Sequence, residues 1–154
     1  MSVMSTSRCL SCNQSSPYHG DEVNLSIQLG PGSSNELSIL IENYFEDECF
    51  DRVCPSCQSK ISLMERKLTV MPQNLMVQLK RYNGDGQKFL DPVIASTTLS
   101  LFSTEYQLRA VISHIGDSLD TGHYNCTIHE KFGHESLFFK LMTPKCCFTR
   151  ILNT

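Results

Sequence analysis

A chain of 154 residues, 40% apolar and 19% charged, has the composition of one globular domain with a core and not of a disordered or fibrous segment. Its formal net charge of −3 provides no basic footprint for nucleic acid, and its apolar runs are too short to span a membrane. The N-terminal MSVMSTSRCL has no basic region followed by an apolar one. This predicts a cytoplasmic or nuclear protein without a signal peptide, in which eight cysteines read as thiols or metal ligands, not a disulfide frame.

In chain order, VNLSIQL alternates Val23, Leu25, Ile27 and Leu29 with polar residues, the period of a strand. GPGSS at Gly30–Ser34 breaks it. Ser33 and Glu36 have capping-box spacing, and Leu37, Leu40, Ile41, Tyr44 and Phe45 then recur at helical spacing. Acidic residues at Glu46–Glu48 close this helix against its macrodipole, which predicts fraying. RKLTVMPQNLMVQLKRY reads as a strand, a turn at Pro72–Asn74 and a second strand through Leu75, Val77 and Leu79. NGDG at Asn83–Gly86 is a loop or hairpin turn. YQLRAVISHIG, HYNCTIHEKFG and SLFFKLM read as three more strands, the last two joined by a hairpin, and Pro144–Thr154 shows no usable period. Five or six strands with one helix define an α+β fold with a mostly antiparallel sheet.

Two CxxC pairs, Cys9 with Cys12 and Cys54 with Cys57, supply four sulfurs. A two-residue gap lets both sulfurs of a pair face one ion with little strain, and Zn²⁺ favours four thiolates in a tetrahedron. The competing reading is buried or redox-active cysteines. Cys49 reads as a small apolar residue closing the helix or as a spare ligand.

The order of these pieces is a CxxC pair, the helix LSILIENYFEDE, a second CxxC pair, then MPQNLMVQLKRY, KFLDPV and HIGDSLDTGHY. It resembles the second half of the catalytic domain of the ubiquitin-specific proteases. These are papain-like cysteine proteases that cut the isopeptide bond after the C-terminal glycine of ubiquitin. MPQNLMVQLKRY is similar to the family's LPxxLxxxLKRF, and HIGDSLDTGHY is similar to its histidine box. The resemblance implies a partial deubiquitinase domain over 1–154. It would carry a zinc-bearing fingers segment at about 9–67, a palm sheet with the histidine box at about 68–142, and a tail at 143–154. It implies structural zinc on Cys9, Cys12, Cys54 and Cys57, and His123 as the catalytic base. Substrate-binding roles fall on His114, Gly116, Asp117, Ser118, Gly122 and Tyr124, in and beside a loop that overlies the ubiquitin tail. Ubiquitin or ubiquitinated proteins are the implied partners.

Two family features have no match. Nothing in the 154 residues resembles the nucleophile box GNTCYMN. Where the family has an acidic pair after a tryptophan-bearing strand, in a pattern like WYKFDD, this chain has FFKLMTP. Met142 and Thr143 thus stand in the acidic register, and there is no tryptophan. Neither side chain accepts the Nδ1 proton of an imidazole as a carboxylate does. Cys126 lies three residues after His123, so on a strand the two point to opposite faces. Cys146 and Cys147 read as ordinary reduced thiols. The expectation is a base without its nucleophile: a deubiquitinase segment inactive alone, completed by an upstream segment or a second chain with the cysteine box. The alternative is a non-catalytic ubiquitin-binding zinc module or decoy. A third reading, a structural zinc domain unrelated to ubiquitin, fits the motifs least.

Overall fold

A computed structural model of the chain describes residues 1–116, 121–132, 135–143 and 149–153; the side chains of Asp21 and of residues 130–153 lie outside the description. In chain order the elements are β1 (Ser2–Cys9), β2 (Ser15–Asp21), β3 (Leu25–Gln28), α1 (Leu37–Phe45), β4 (Glu48–Asp51), β5 (Ile61–Val70), β6 (Asn74–Lys80), β7 (Thr98–Leu101), β8 (Thr104–Ile115), β9 (His123–Phe132), β10 (Glu135–Thr143) and β11 (Thr149–Asn153). They fall into two compact units, Met1–Val23 with Ile41–Met71 and Asn24–Leu40 with Pro72–Thr154, the division passing through α1. None of the described helices is long and apolar enough to cross a membrane.

The first unit is an antiparallel sheet in the order β2-β1-β5-β4. Its strands are polar, and β1 reads SVMSTSRC with only Val3, Ser7 and Cys9 buried. The hydroxyl of buried Ser7 accepts a hydrogen bond from the Arg52 guanidinium, so this polar group is not orphaned. The register fixes where the strand ends lie. β1 ends with Cys9 opposite Ser62, and β4 ends with Asp51 opposite Ile61. β5 therefore separates two strands whose ends lie at the same end of the sheet.

The second unit is a sheet in the order β10-β9-β8-β11-β6-β3, with β7 added on β8. Among the described strand pairs only β3 with β6 is parallel, beside the single parallel bridge of Glu36 with Ile94. Its core follows strand alternation: Leu25 and Ile27, Leu75 and Val77, Leu99 and Leu101, and Tyr106 and Leu108 are all buried. Each such side chain contributes about 1.5–3 kcal/mol on burial. Tyr106 is fully buried, and its hydroxyl donates to the Pro72 carbonyl at 2.9 Å, which satisfies the polar end of a large apolar ring.

The helical stripe is confirmed, with Leu37, Leu40 and Ile41 buried, but its start is corrected. Ser33 and Glu36 form no capping box. Ser33 Oγ accepts from the Gly30 N–H and Ser34 Oγ from the Glu36 N–H. Asn35 and Leu37 hydrogen-bond through their main chains to Ile94, and this pairing holds Glu36 in a bridge and delays the helix to Leu37. The helix ends at Phe45, and acidic Glu48 already belongs to β4, where Arg66 pairs with it at 3.0 Å.

Four more readings change. Val23 is 75% exposed and outside β3. The strands on either side of Pro72 do not pair with each other: β5 pairs with β1 and β4, and β6 with β11 and β3. The described residues form eleven strands instead of five or six, because β1, β2, β4, β7 and β11 give little periodic signal. The segment Pro144–Thr154, without usable period in sequence, contributes β11, which sits between β8 and β6. The α+β class and the mostly antiparallel pairing stand.

Candidate functional site

The four cysteines of the CxxC pairs meet at the end of the first unit's sheet, their sulfurs all within 4.8 Å of one another. Cys9 and Cys57 approach to 3.6 Å, as do Cys12 and Cys54. Sulfurs at about 2.3 Å from a tetrahedral ion are about 3.8 Å apart, so the spacing fits one metal ion and the cluster could hold it. The two knuckles are built alike. In each, the first cysteine's N–H donates five residues ahead, from Cys9 to Gln14 and from Cys54 to Ser59. Its carbonyl accepts from the residue four ahead, Asn13 or Gln58, both at positive φ. This closed turn aims the main-chain N–H groups of Cys12 and Ser11 at the Cys9 sulfur, drawing its pKa down to about 6. The N–H groups of Cys57 and Ser56 lower Cys54 in the same way. For Cys57 the Ser59 N–H pulls down, but the neighbouring sulfurs of Cys12 and Cys9, with burial, outweigh it and push the thiol up to about 12. Without a cation, four sulfurs so close resist sharing negative charge. A divalent ion removes that conflict. Cys49 stands in β4 opposite Leu63, exposed, and is not in the cluster.

In the second unit, β8 and β9 bring the histidine-box residues to one end. His123 opens β9 opposite Ile115, and its side chain is exposed. Tyr124 stands opposite His114, their rings 4.8 Å apart. Gly122 has φ +153, and a Cβ there would overlap Nε2 of His114 and come 2.6 Å from the Ile115 carbonyl oxygen. The glycine before His123 is thus required twice, by its backbone angle and by the imidazole against it. Gly116 has φ +143, and a Cβ there would meet the Thr121 carbonyl oxygen at 2.8 Å. Asp117 and Ser118 lie outside the described residues.

Two residues near this end were not expected from the sequence. Tyr82 Oη lies 3.2 Å from His114 Nδ1. Lys88 Nζ lies 3.2 Å from the same nitrogen and donates to the carbonyls of His114, at 3.1 Å, and Gly116. Tyr82 and Lys88 flank the NGDG turn as an antiparallel bridge. Asn83 holds that turn by accepting the N–H groups of Asp85 and Gln87. The turn signal was legible, but its spatial neighbour was not. Tyr82, Lys88, His114 and Tyr124 are among the residues that line a cleft of about 620 Å³, with Leu79 and Phe89 among its apolar residues.

Cys126 follows His123 by three residues on β9, so the pair diverges as alternation requires. Met142 stands opposite Asn125 and Thr143 opposite Tyr124. Asn125, on the His123 face of the strand, is 6% exposed, and its Oδ1 has no hydrogen-bond partner among the described residues. Cys146 and Cys147 lie outside the described residues.

A fold with one zinc-type cysteine cluster and a Gly-His-Tyr strand start defines a narrow class. The profile of the ubiquitin carboxyl-terminal hydrolase family matches residues 1–142, and the chain belongs to that family. It is similar to ubiquitin carboxyl-terminal hydrolase 25 of Arabidopsis thaliana, 26% identical over 85% of this chain and 22% of the relative. It is also similar to ubiquitin carboxyl-terminal hydrolase 46 of Caenorhabditis elegans, 30% identical over 76% of this chain and 32% of the relative. Among solved structures, the fold matches a chain of the SAGA DUB module Ubp8/Sgf11/Sus1/Sgf73 bound to monoubiquitin. The TM-score is 0.75, with 19% identity over 99% of this chain and 40% of that one. The chain therefore spans less than half the length of these proteins.

Proposed function

We propose that this chain is the metal-bearing and histidine-bearing part of a thiol-dependent deubiquitinase, corresponding to the C-terminal half of the catalytic domain. The whole enzyme would hydrolyse the isopeptide bond after the ubiquitin C-terminal glycine, in the cytoplasm or nucleus. The observation that carries the reading is the exposed imidazole of His123 at the start of β9, behind a glycine that His114 packs against. In the proposed roles His123 removes the proton of a cysteine thiol and later returns it to the leaving amine. His114, Gly116, Asp117, Ser118, Gly122 and Tyr124 flank the ubiquitin tail. Cys9, Cys12, Cys54 and Cys57 hold one structural Zn²⁺, the ion that four thiolates select. The nucleophile comes from an upstream segment or a second chain, since no box like GNTCYMN occurs in these 154 residues.

The expected outcome for the 154-residue polypeptide is no cleavage of a fluorogenic ubiquitin substrate and no labelling by a ubiquitin electrophile probe. Labelling that maps to Cys146 or Cys147 would identify a different nucleophile and overturn the assignment. Labelled ubiquitin titrated with zinc-loaded protein should show shifts with a Kd on the order of 10⁻⁴ M or weaker, about −5 kcal/mol. Removal of the ubiquitin tail should change this little, because a one-sided groove neither excludes water nor fixes an extended peptide. No shifts at millimolar protein would end the reading.

A non-catalytic ubiquitin-binding module is the second reading. The β10 register favours it: Met142 stands opposite Asn125 and Thr143 opposite Tyr124, and neither position of that strand carries a carboxylate. Turnover after a cysteine-box segment is supplied in trans would exclude this reading; ubiquitin binding without turnover would support it.

A further inference from the structure

Strand β8 keeps β9 along one side as far as Ile115, whereas β11 follows its other side only to Ala110 among the described residues. Past Ala110 that outer side of β8 therefore has no strand partner among them. Carbonyls alternate sides along a strand, so those of His114 and Gly116 share a side and that of Ile115 faces the other. The Ile115 carbonyl oxygen is the one beside Gly122, which puts it on the β9 side. The outer carbonyls of His114 and Gly116 both receive the ammonium of Lys88, which also reaches His114 Nδ1 at 3.2 Å. An ammonium has three donors and no lone pair, so the ring nitrogen is the acceptor in that contact. Lys88 is itself held over the Tyr82 ring at 5.8 Å.

We propose that Lys88 is a positioning residue for His123, its ammonium bridging the main-chain carbonyls of His114 and Gly116 and the His114 ring. The inference rests on the catalytic reading of His123 and adds a residue to it. The chain of contacts is short. Lys88 fixes the carbonyls on either side of Ile115, and Ile115 is the cross-strand partner of His123. Lys88 also fixes the His114 ring, which fills the space where a side chain on Gly122 would stand, directly before His123. Both main-chain supports of His123 are thereby set by one side chain on the NGDG hairpin. In this role Lys88 acts through Ile115 and His114 and takes no part in proton transfer.

The test uses the isotope-labelled 154-residue protein and three variants. Lys88→Met keeps the apolar stem and loses every donor. Lys88→Arg keeps charge and donors. Lys88→Gln keeps two donors without charge and replaces the methionine variant should that one not fold. Two readouts are taken: amide hydrogen exchange, and the ring resonances of His123 through a pH titration. Lys88→Met should raise exchange at Ile115, His123 and Tyr124 by about tenfold or more, the scale of losing charge-assisted bonds to two carbonyls. It should shift or broaden the His123 ring signals while leaving β1 and β5 unchanged. Lys88→Arg should restore both readouts to near the parent. An equal rise across the whole second unit, or a local rise with His123 ring signals unaltered, would overturn the positioning role. Neither readout uses ubiquitin. A chain that fails the ubiquitin titration yet shows the local loss keeps the Lys88–His123 coupling and loses only its catalytic meaning.

Discussion

Substituting Gly122 by alanine tests the geometry of the histidine end directly. Two costs add. The residue has φ +153, a region nearly confined to glycine, and holding an alanine there costs about 1–3 kcal/mol. The new methyl would also meet the Ile115 carbonyl oxygen at 2.6 Å and overlap the His114 ring. The carbonyl belongs to a paired strand, and the ring is held by Tyr82 and Lys88, so neither retreats freely. Overpacking of this kind adds about 1–3 kcal/mol. The sum, about 2–6 kcal/mol, is a large share of the roughly 5–15 kcal/mol that holds a domain together. With a urea slope near 2 kcal/mol/M, the midpoint should fall by about 1–3 M. The assay is urea unfolding followed by NMR amide signals of Ile112 and Tyr124, which report the second unit specifically. Gly84→Ala is the control, since nothing lies within 4 Å of a Cβ there and an open surface site should stay within about 0.5 kcal/mol. If Gly122→Ala melts within about 0.2 M of the parent, the close approach of Gly122, His114 and Ile115 is wrong.

Tyr106→Phe removes the hydroxyl that donates to the half-buried Pro72. Urea unfolding should show a loss of about 0.5–1.5 kcal/mol, and no loss would mean that water serves the Pro72 carbonyl equally well. Metal analysis of purified protein should find about one Zn²⁺ per chain. Removal of that ion by a strong chelator should abolish exchange protection in β1 and β5 while β6 and β8 keep theirs. Metal-free protein with β1 and β5 still protected would refute the cluster's structural role.

The sequence was most readable where one face of an element is buried and the other wet. Leu25 and Ile27, Leu75 and Val77, and the α1 stripe at Leu37, Leu40 and Ile41 are such cases. It was least readable in β1 and β2, where Ser, Thr and Pro are frequent and the buried set includes Ser7. Hydrophobic period cannot announce a strand whose inward residues are hydroxyls satisfied by a distant arginine. The short strands β7 and β11 failed for another reason: four or five residues carry less than a recognisable period, and their place is set by partners far along the chain. The capping-box reading at Ser33 was locally sound and lost to a tertiary pairing with Ile94. Metal-ligand spacing needed no period, because CxxC is a local constraint, and the four cysteines converge. The histidine box was legible as a family resemblance. The Lys88–His114 contacts were not, since 26 residues separate them and no spacing rule links a hairpin lysine to a strand end.

The two units are stabilised on different terms, and this is why the metal matters to one of them. Among the described residues, the buried apolar set of the first unit is Val3, Cys9, Ile41 and Cys54, and two of these four are candidate ligands. The second unit buries eleven, including Leu25, Leu75, Val77, Leu99 and the whole of Tyr106. At about 1.5–3 kcal/mol per side chain, two non-ligand residues offset little of the roughly 1–2 kcal/mol of backbone entropy lost by each ordered residue. The surface ion pairs Arg8–Glu65 and Arg66–Glu48 do not close that gap, since exposed pairs contribute about 0–1 kcal/mol each. A metal ion held by the four thiolates would add on the order of 10 kcal/mol that exists only when both knuckles are in place. Cys9 at the end of β1 and Cys54 three residues beyond β4 are the points where one ion would tie together strands on both sides of β5. An ion there would supplement the small hydrophobic core that so polar a sheet builds.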